Sequence, residues 1–266
     1  MERLNVFQMI KVGPAGTGGT NNLEGIRKVA KMGLDCMEVE FTYGVRMPAH
    51  MARQAGELAE QLGIILSVHA PYYINLASDD AQKVRASRKR ILDSCHRAHL
   101  MGAGNVVFHA GFYQGKTGKK TYSLIKKEMI YMQKYISRKK WDVVLCPEVT
   151  GKPSQFGSLT EILDLMEDTG CAITVDFAHL YARQQGSIKY EDILDRLPRQ
   201  FHAHFSGIEY GPKGEKKHLR TPRKFFEPLA QLLVQRNLDV TIINESTQPY
   251  KDAAMMKRVL NKLQAQ

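Results

Sequence analysis

Six residues of metal-ligating type each close a short apolar run in this chain. The run 64–68 ends in His69, 105–108 in His109, 142–147 in Glu148, 172–175 in Asp176, 201–203 in His204 and 239–244 in Glu245. A second imidazole, His179, follows Asp176 by three residues. Each of these alone is more often a hydrogen-bonded core or surface residue, but the joint pattern is hard to obtain by chance. A buried strand that ends in such a side chain delivers it into a pocket. His, Glu and Asp are the ligands of a zinc-type or similar divalent site, and a carboxylate shared between ions holds them close enough for two-metal hydrolysis.

The elements that must position these residues alternate along the whole chain. Strand-like runs at 6–12, 36–41, 64–69, 105–109, 142–148, 172–176, 201–204 and 239–245 are each followed by a helix-like stretch, predicted over 23–32, 47–62, 80–101, 120–138, 159–168, 190–197, 222–235 and 251–263. No internal repeat or low-complexity linker interrupts them. Eight strand–helix units in 266 residues predict one (β/α)8 TIM-barrel domain over residues 1–266. A doubly wound open sheet is the alternative. The barrel is preferred because only a closed barrel brings all the strand ends to one mouth. His96 and His99 fall within a predicted helix, and His202 lies one pleat below His204, so these three are read as core or surface residues. The loop 13–19 is Gly-rich, but its spacing matches neither phosphate-binding Gly motif and reads as a flexible first βα loop.

Hydrophobic residues make up 43% of the chain and charged residues 24%, the balance of a soluble globular protein. No stretch has the length and apolarity of a membrane span, and the N-terminus lacks the order of a secretion signal, so the expectation is a cytoplasmic protein with no membrane partner. Cys36, Cys95, Cys146 and Cys171 are far apart and read as reduced core thiols. The 38 Lys and Arg outnumber the 27 Asp and Glu, a net charge of +11 that suits a polyanionic partner, nucleic acid foremost.

The residues resemble the endonuclease IV type of apurinic/apyrimidinic endonuclease, a xylose isomerase-like TIM barrel. The matching pieces are Val68-His69-Ala70-Pro71-Tyr72 with Ile74-Asn75-Leu76, Phe108-His109-Ala110-Gly111, Glu148 with Thr150-Gly151, Asp176-Phe177-Ala178-His179, His204, His218 and Asn244-Glu245. The resemblance implies two or three zinc ions at the barrel mouth, with manganese an alternative. His69, His109 and Glu148 would hold one ion. Glu148, Asp176, His204 and Glu245 would hold a second, and His179 and His218 a third. Glu148 and Glu245 become the catalytic candidates. One departure stands out: the family's third-ion carboxylate lies two residues before its last histidine, where this chain has Lys216. Glu215, one residue earlier, is the substitute if its longer side chain reaches.

By the same resemblance Arg46 and Tyr72 are counterparts of DNA-probing loop residues, while Lys116, Lys213 and Lys217 in βα loops are candidate phosphate contacts. The implied activity is metal-dependent hydrolysis of double-stranded DNA at abasic sites, by a monomer. A sugar isomerase or epimerase on the same barrel is the main rival, since it shares the quartet Glu148, Asp176, His204 and Glu245. A non-catalytic DNA-binding relative is the other. The purified chain is expected to carry two or three transition-metal ions by elemental analysis, and at most one, bound at the quartet, would favour the isomerase.

Overall fold

The structure, a computed structural model, describes residues 10–265. Eight parallel strands form the barrel: β1 (Lys11–Pro14), β2 (Cys36–Glu40), β3 (Ile65–His69), β4 (Asn105–Phe108), β5 (Val144–Pro147), β6 (Thr174–Asp176), β7 (Gln200–Phe205) and β8 (Asp239–Asn244). The helices around them are α1 (Asn22–Lys31), α2 (Ala49–Leu62), α3 (Ala81–Met101), α4 (Gly118–Lys139), α5 (Leu159–Thr169), α6 (Phe177–Arg183), α7 (Tyr190–Leu194), α8 (Arg223–Gln235) and α9 (Pro249–Gln264). Each long helix buries one stripe. In α3 it is Ser87, Ile91, Ser94, Cys95, Ala98 and Met101, spaced three and four apart as a helix with one core-facing side requires.

The ring is made of two four-stranded sheets, β2-β3-β4-β5 and β1-β8-β7-β6. Single parallel bridges join them, Ala15 with Glu38 at one seam and Glu148 with Thr174 at the other. Backbone bonds continue each seam: Asp35 N to Val12 O at 3.0 Å and Gly16 N to Glu38 O at 2.9 Å, then Ala172 N to Leu145 O and Val149 N to Thr174 O, both at 3.0 Å. At the first seam β1 and β2 approach so closely that only glycine fits at Gly13, where a β-carbon would stand 1.7 Å from the Cys36 carbonyl oxygen.

The closed parallel barrel expected from the sequence is therefore the fold, with three local corrections. The first strand runs to Pro14 rather than stopping at Val12, and residues 6–9 of the expected run lie outside the described residues. A helix absent from the sequence reading, α6, starts immediately after β6, because the Asp176 carboxylate that ends the strand also accepts from the His179 amide at 2.7 Å and so caps the helix. Third, an antiparallel hairpin (Gly207–Gly211 with Gly214–Leu219) projects beyond β7, where only a loop was expected. All four cysteines are buried and free of disulfides, and no described helix is long and apolar enough to cross a membrane.

Replacing Gly13 by Ala is expected to lower the denaturation midpoint by an amount equivalent to about 1–3 kcal/mol or more, as inserting a carbon into a packed interior does. Gly104→Ala, which adds its carbon to open space, is the control and is expected to stay within about 0.5 kcal/mol of wild type in the same denaturant titration.

Candidate metal centre

All six strand-end residues converge on the C-terminal mouth of the barrel, with Glu148 at their centre. One Glu148 oxygen lies 3.2 Å from His69 Nε2 and 2.9 Å from His109 Nε2. The other lies 3.1 Å from His179 Nδ1 and 3.2 Å from His204 Nδ1. Glu245 comes within 3.4 Å of the same His204 nitrogen. Donor atoms within 4.8 Å of one another group as His69, His109 and Glu148; as Glu148, Asp176, His204 and Glu245; and as Asp176, His179 and His218. The first two groups coincide with the donor sets that the resemblance implied. The third adds Asp176 to the expected histidines.

The donor chemistry fits divalent ions of the zinc type, which take imidazole nitrogen and carboxylate oxygen. Asp176 Oδ2 is a second mark: it is buried and, although it stands 3.4 Å from His179 Nδ1, it has no hydrogen-bond partner. Burying an unpaired carboxylate oxygen is costly unless a cation meets it. Three of the imidazoles also meet a carbonyl or hydroxyl at Nδ1, the kind of contact that orients a ligand imidazole. His69 Nδ1 is 2.8 Å from the Ala70 carbonyl, His179 Nδ1 is 3.0 Å from the Val149 carbonyl, and His218 Nδ1 is 2.8 Å from the Ser206 hydroxyl.

Lys216, which stands where the resemblance implied a carboxylate, is displaced by a β-bulge. The hairpin pairs Glu209 with Lys217 and then Tyr210 with Glu215, leaving Lys216 as an extra residue in the second strand. One extra residue resets the in–out alternation. Lys216 and Lys217 therefore lie on the same outer side, with their ammonium groups 3.4 and 3.2 Å from Glu209. Glu215 turns inward, and its carboxylate comes 3.5 Å from His179 Nε2. Gly151 makes room: a β-carbon there would stand 2.7 Å from Glu215 Cβ and 2.9 Å from its carboxylate. Arg183 fixes the loop that carries Gly151 through the carbonyls of Thr150, Lys152 and Gln155 at 3.3, 2.9 and 3.1 Å.

Burial alone would raise the Glu148 carboxyl, yet the surrounding histidines, His109 foremost, hold it well below the usual carboxylate range. His69 shows the reverse: burial would lower it, but its hydrogen bond to Glu148 and the charge there push it up to about 10. Two acids absent from the sequence reading join the centre, Glu38 and Glu40 on β2. Burial raises Glu40 to about 7, with the Glu245 charge adding to the shift. The signal was present in Met37-Glu38-Val39-Glu40, where alternation sends both carboxylates to one face of a strand.

A cavity of about 580 Å³ opens beside the centre between the Gly16–Gly19 loop and Ser246–Thr247, and Glu40, Tyr72, His218 and Glu245 line it together with neutral residues. Of the DNA-contact candidates only Tyr72 lines this cavity; it is half exposed, with its hydroxyl 3.4 Å from Glu40. Arg46 is exposed on the loop after β2, and Lys213 is exposed at the hairpin turn. Lys217 already faces Glu209. Lys116 is the least free, paired with Asp79 at 2.8 Å and 7% exposed.

Comparison with known proteins gives a consistent fold and a divided function. The xylose isomerase-like TIM barrel family matches residues 26–265. An uncharacterised protein of Methanocaldococcus jannaschii is 33% identical over 96% of this chain and 98% of its own. A probable endonuclease 4 of Mycobacterium leprae is 24% identical over 62% of this chain and 64% of its own. Among solved structures, endonuclease IV from Thermus thermophilus superposes with a TM-score of 0.71 at 18% identity, covering 96% of this chain and 99% of that one. A D-tagatose 3-epimerase-like protein does so with 0.75 at 16%, covering 96% and 97%.

Gly151→Ala is expected to push Glu215 away from His179 and to lower the bound metal by one ion per chain in elemental analysis, with an unchanged circular dichroism spectrum. Glu215→Gln should give the same count. A Gly151→Ala protein that keeps the full wild-type complement would place Glu215 outside the centre.

Proposed function

The chain belongs to the xylose isomerase-like TIM barrel family, and from that premise we propose that it is a metal-dependent phosphodiesterase that cuts DNA at abasic sites. The observation that carries this reading is the flanking of the Glu148, Asp176, His204 and Glu245 quartet by two further donor groups, His69 with His109 on one side and His179 with His218 on the other. A sugar isomerase needs the quartet alone. Relatives of the endonuclease 4 kind and the net charge of +11 support the same reading.

In this proposal His69, His109 and Glu148 hold one ion, the quartet holds another, and His179, His218 and Glu215 hold a third with Asp176 nearby. Bound there, divalent ions supply Lewis acidity toward phosphate oxygens and ease the ionisation of water. Glu148, kept ionised by its histidines, is the proton acceptor for the attacking water and orients it toward phosphorus. Glu245, 15% exposed at the edge of the cavity, faces the substrate side and aligns His204 from the solvent side. Tyr72, beside the cavity, is placed to fill the gap that a missing base leaves in the duplex. Arg46, Lys213 and Lys217 act at longer range on the phosphate backbone.

A second reading has one specific observation in its favour. The cavity next to the quartet is lined by two glutamates and, among the described residues, by no Lys or Arg, which suits a polyhydroxy sugar better than a bare phosphate. An epimerase acting on a ketose would use Glu148 and Glu245 as its acid–base pair.

Glu148→Gln keeps the size of the side chain and removes its charge. Single-turnover cleavage of abasic-site duplex is expected to fall by about 10²-fold or more, as when a positioned acid–base group is lost. Duplex binding should survive, and for both proteins it should weaken steeply with added salt, because each neutralised phosphate releases counterions. A variant that cleaves at near the wild-type rate removes this mechanism. A wild-type protein that leaves abasic DNA intact while epimerising a ketose establishes the second reading.

A further inference from the structure

Among the imidazoles that face the metal centre, His204 has an outer partner of a different kind. The outer nitrogens of His69 and His218 meet neutral oxygens of Ala70 and Ser206, and His179 Nδ1, which also faces Glu148 at 3.1 Å, meets the Val149 carbonyl. His204 presents Nδ1 to Glu148 and Glu245, and its Nε2 points the other way, 3.0 Å from Glu38 Oε1. Glu38 and His204 are both fully buried.

The carboxylate of Glu38 is itself held from behind. Its Oε2 accepts from the Ser67 hydroxyl at 2.7 Å and lies 3.0 Å from His202 Nε2. With its proton on Nε2, His202 donates to Glu38, and the Asn105 amide nitrogen 3.5 Å from His202 Nδ1 suits that tautomer. No Lys or Arg pairs with Glu38 among the described residues. The remaining pair, Glu38 Oε1 and His204 Nε2, is close but poorly aligned, and neither atom has any other hydrogen-bond partner. Two buried polar atoms at this distance satisfy one another through a modest ring rotation, or stay unpaired at a cost.

We propose that Glu38 is a positioning residue for His204: it accepts the Nε2 proton, and so fixes the tautomer and ring orientation that turn the Nδ1 lone pair toward the metal centre. The proposal rests on the metal-dependent reading of the site. A neutral imidazole has one proton, and the hydrogen bond at one nitrogen decides which nitrogen is left as a ligand. A charged acceptor enforces that choice more strongly than a carbonyl or hydroxyl does. Geometry makes the stronger acceptor useful here, because Glu38 on β2 and His204 on β7 belong to different half-sheets and meet across the barrel lumen. The other three outer contacts are made within or next to the loops that carry the ligands. Glu38, His202 and His204 also bring donor atoms within 4.8 Å of one another, and in this proposal the group is a hydrogen-bonded support, with Glu38 Oε2 taken up by the Ser67 hydroxyl and His202 Nε2.

The test uses zinc-loaded full-length protein, as wild type and as Glu38→Gln, Glu38→Asp and Ser67→Ala. Zinc affinity at each site is read by competition with a chromophoric chelator, and histidine tautomers by long-range ¹⁵N–¹H spectra of ¹⁵N-histidine-labelled protein after the zinc is removed, since zinc on Nδ1 would itself hold the proton on Nε2. In wild type His204 is expected to carry its proton on Nε2. Glu38→Gln should weaken the quartet site by about 10- to 100-fold and lose that His204 signature, with the His69–His109–Glu148 site holding its affinity to within about threefold. Glu38→Asp keeps the charge and should recover part of the affinity. Ser67→Ala leaves the carboxylate in place and should cost only a few-fold at the same site, which keeps the proposal testable if Glu38→Gln does not fold. Unchanged zinc affinity and an unchanged His204 spectrum in Glu38→Gln would overturn the positioning role alone. So would an equal loss at every site in step with a lower melting temperature, the pattern of a merely structural residue. A wild-type protein that takes up no zinc would overturn the metal reading beneath it as well.

Discussion

The Glu148 carboxylate, 1% exposed, has imidazole nitrogens of His69, His109, His179 and His204 between 2.9 and 3.2 Å from its two oxygens. Taking such a charge out of water costs several kcal/mol unless donors or cations surround it. Four strands or strand-following segments must therefore be held in one relative placement for the charge to be tolerated at all. The residue also makes the bridge to Thr174 that closes one of the barrel's two seams. Closure of the fold and assembly of the centre are thus the same local event at β5 and β6. The other seam behaves alike, since Ala15 bridges to Glu38, whose side chain reaches the underside of the same centre.

Burial on this scale separates the roles of chemically similar groups. Glu148 is driven well below the carboxylate range by its histidines, while Glu40, with one oxygen unpartnered and other carboxylates nearby, is raised to about 7 by burial. Two glutamates within one mouth are thereby shifted in opposite directions. That division comes from the number of imidazoles in reach, not from the residue type.

The barrel alone does not choose between phosphodiester and sugar chemistry, as the comparable likeness to an endonuclease IV and to an epimerase-like protein makes plain. What differs is what surrounds the shared quartet. On the hairpin side stand His179, His218 and Glu215, with lysines beyond. Across from them, the Gly16–Gly19 loop and Glu40 wall a cavity that no described Lys or Arg lines. An abasic nucleotide offers both a phosphate and a sugar with a free hydroxyl, so one substrate can use both halves.

The sequence by itself determined the barrel, the order of its strands and which six polar residues end them, because apolar runs alternating with helices close into a ring whose strand ends share one mouth; their roles as ligands came from the resemblance. It also placed His202 correctly below the site. Residues whose partners lie far along the chain were decided only by the tertiary structure. Lys116 looks like a free cation until the fold puts Asp79 beside it. Glu215 looks mis-phased, and reaches His179 only because a bulge at Lys216 resets the alternation and Gly151 leaves space for its side chain. Glu38 and Glu40 sit on a strand with the correct period, yet that period is the same for a carboxylate on a lumen face and one facing solvent. Which face meets His204 is fixed by closure of the ring, which brings β2 opposite β7, and no local pattern in residues 36–40 encodes that meeting.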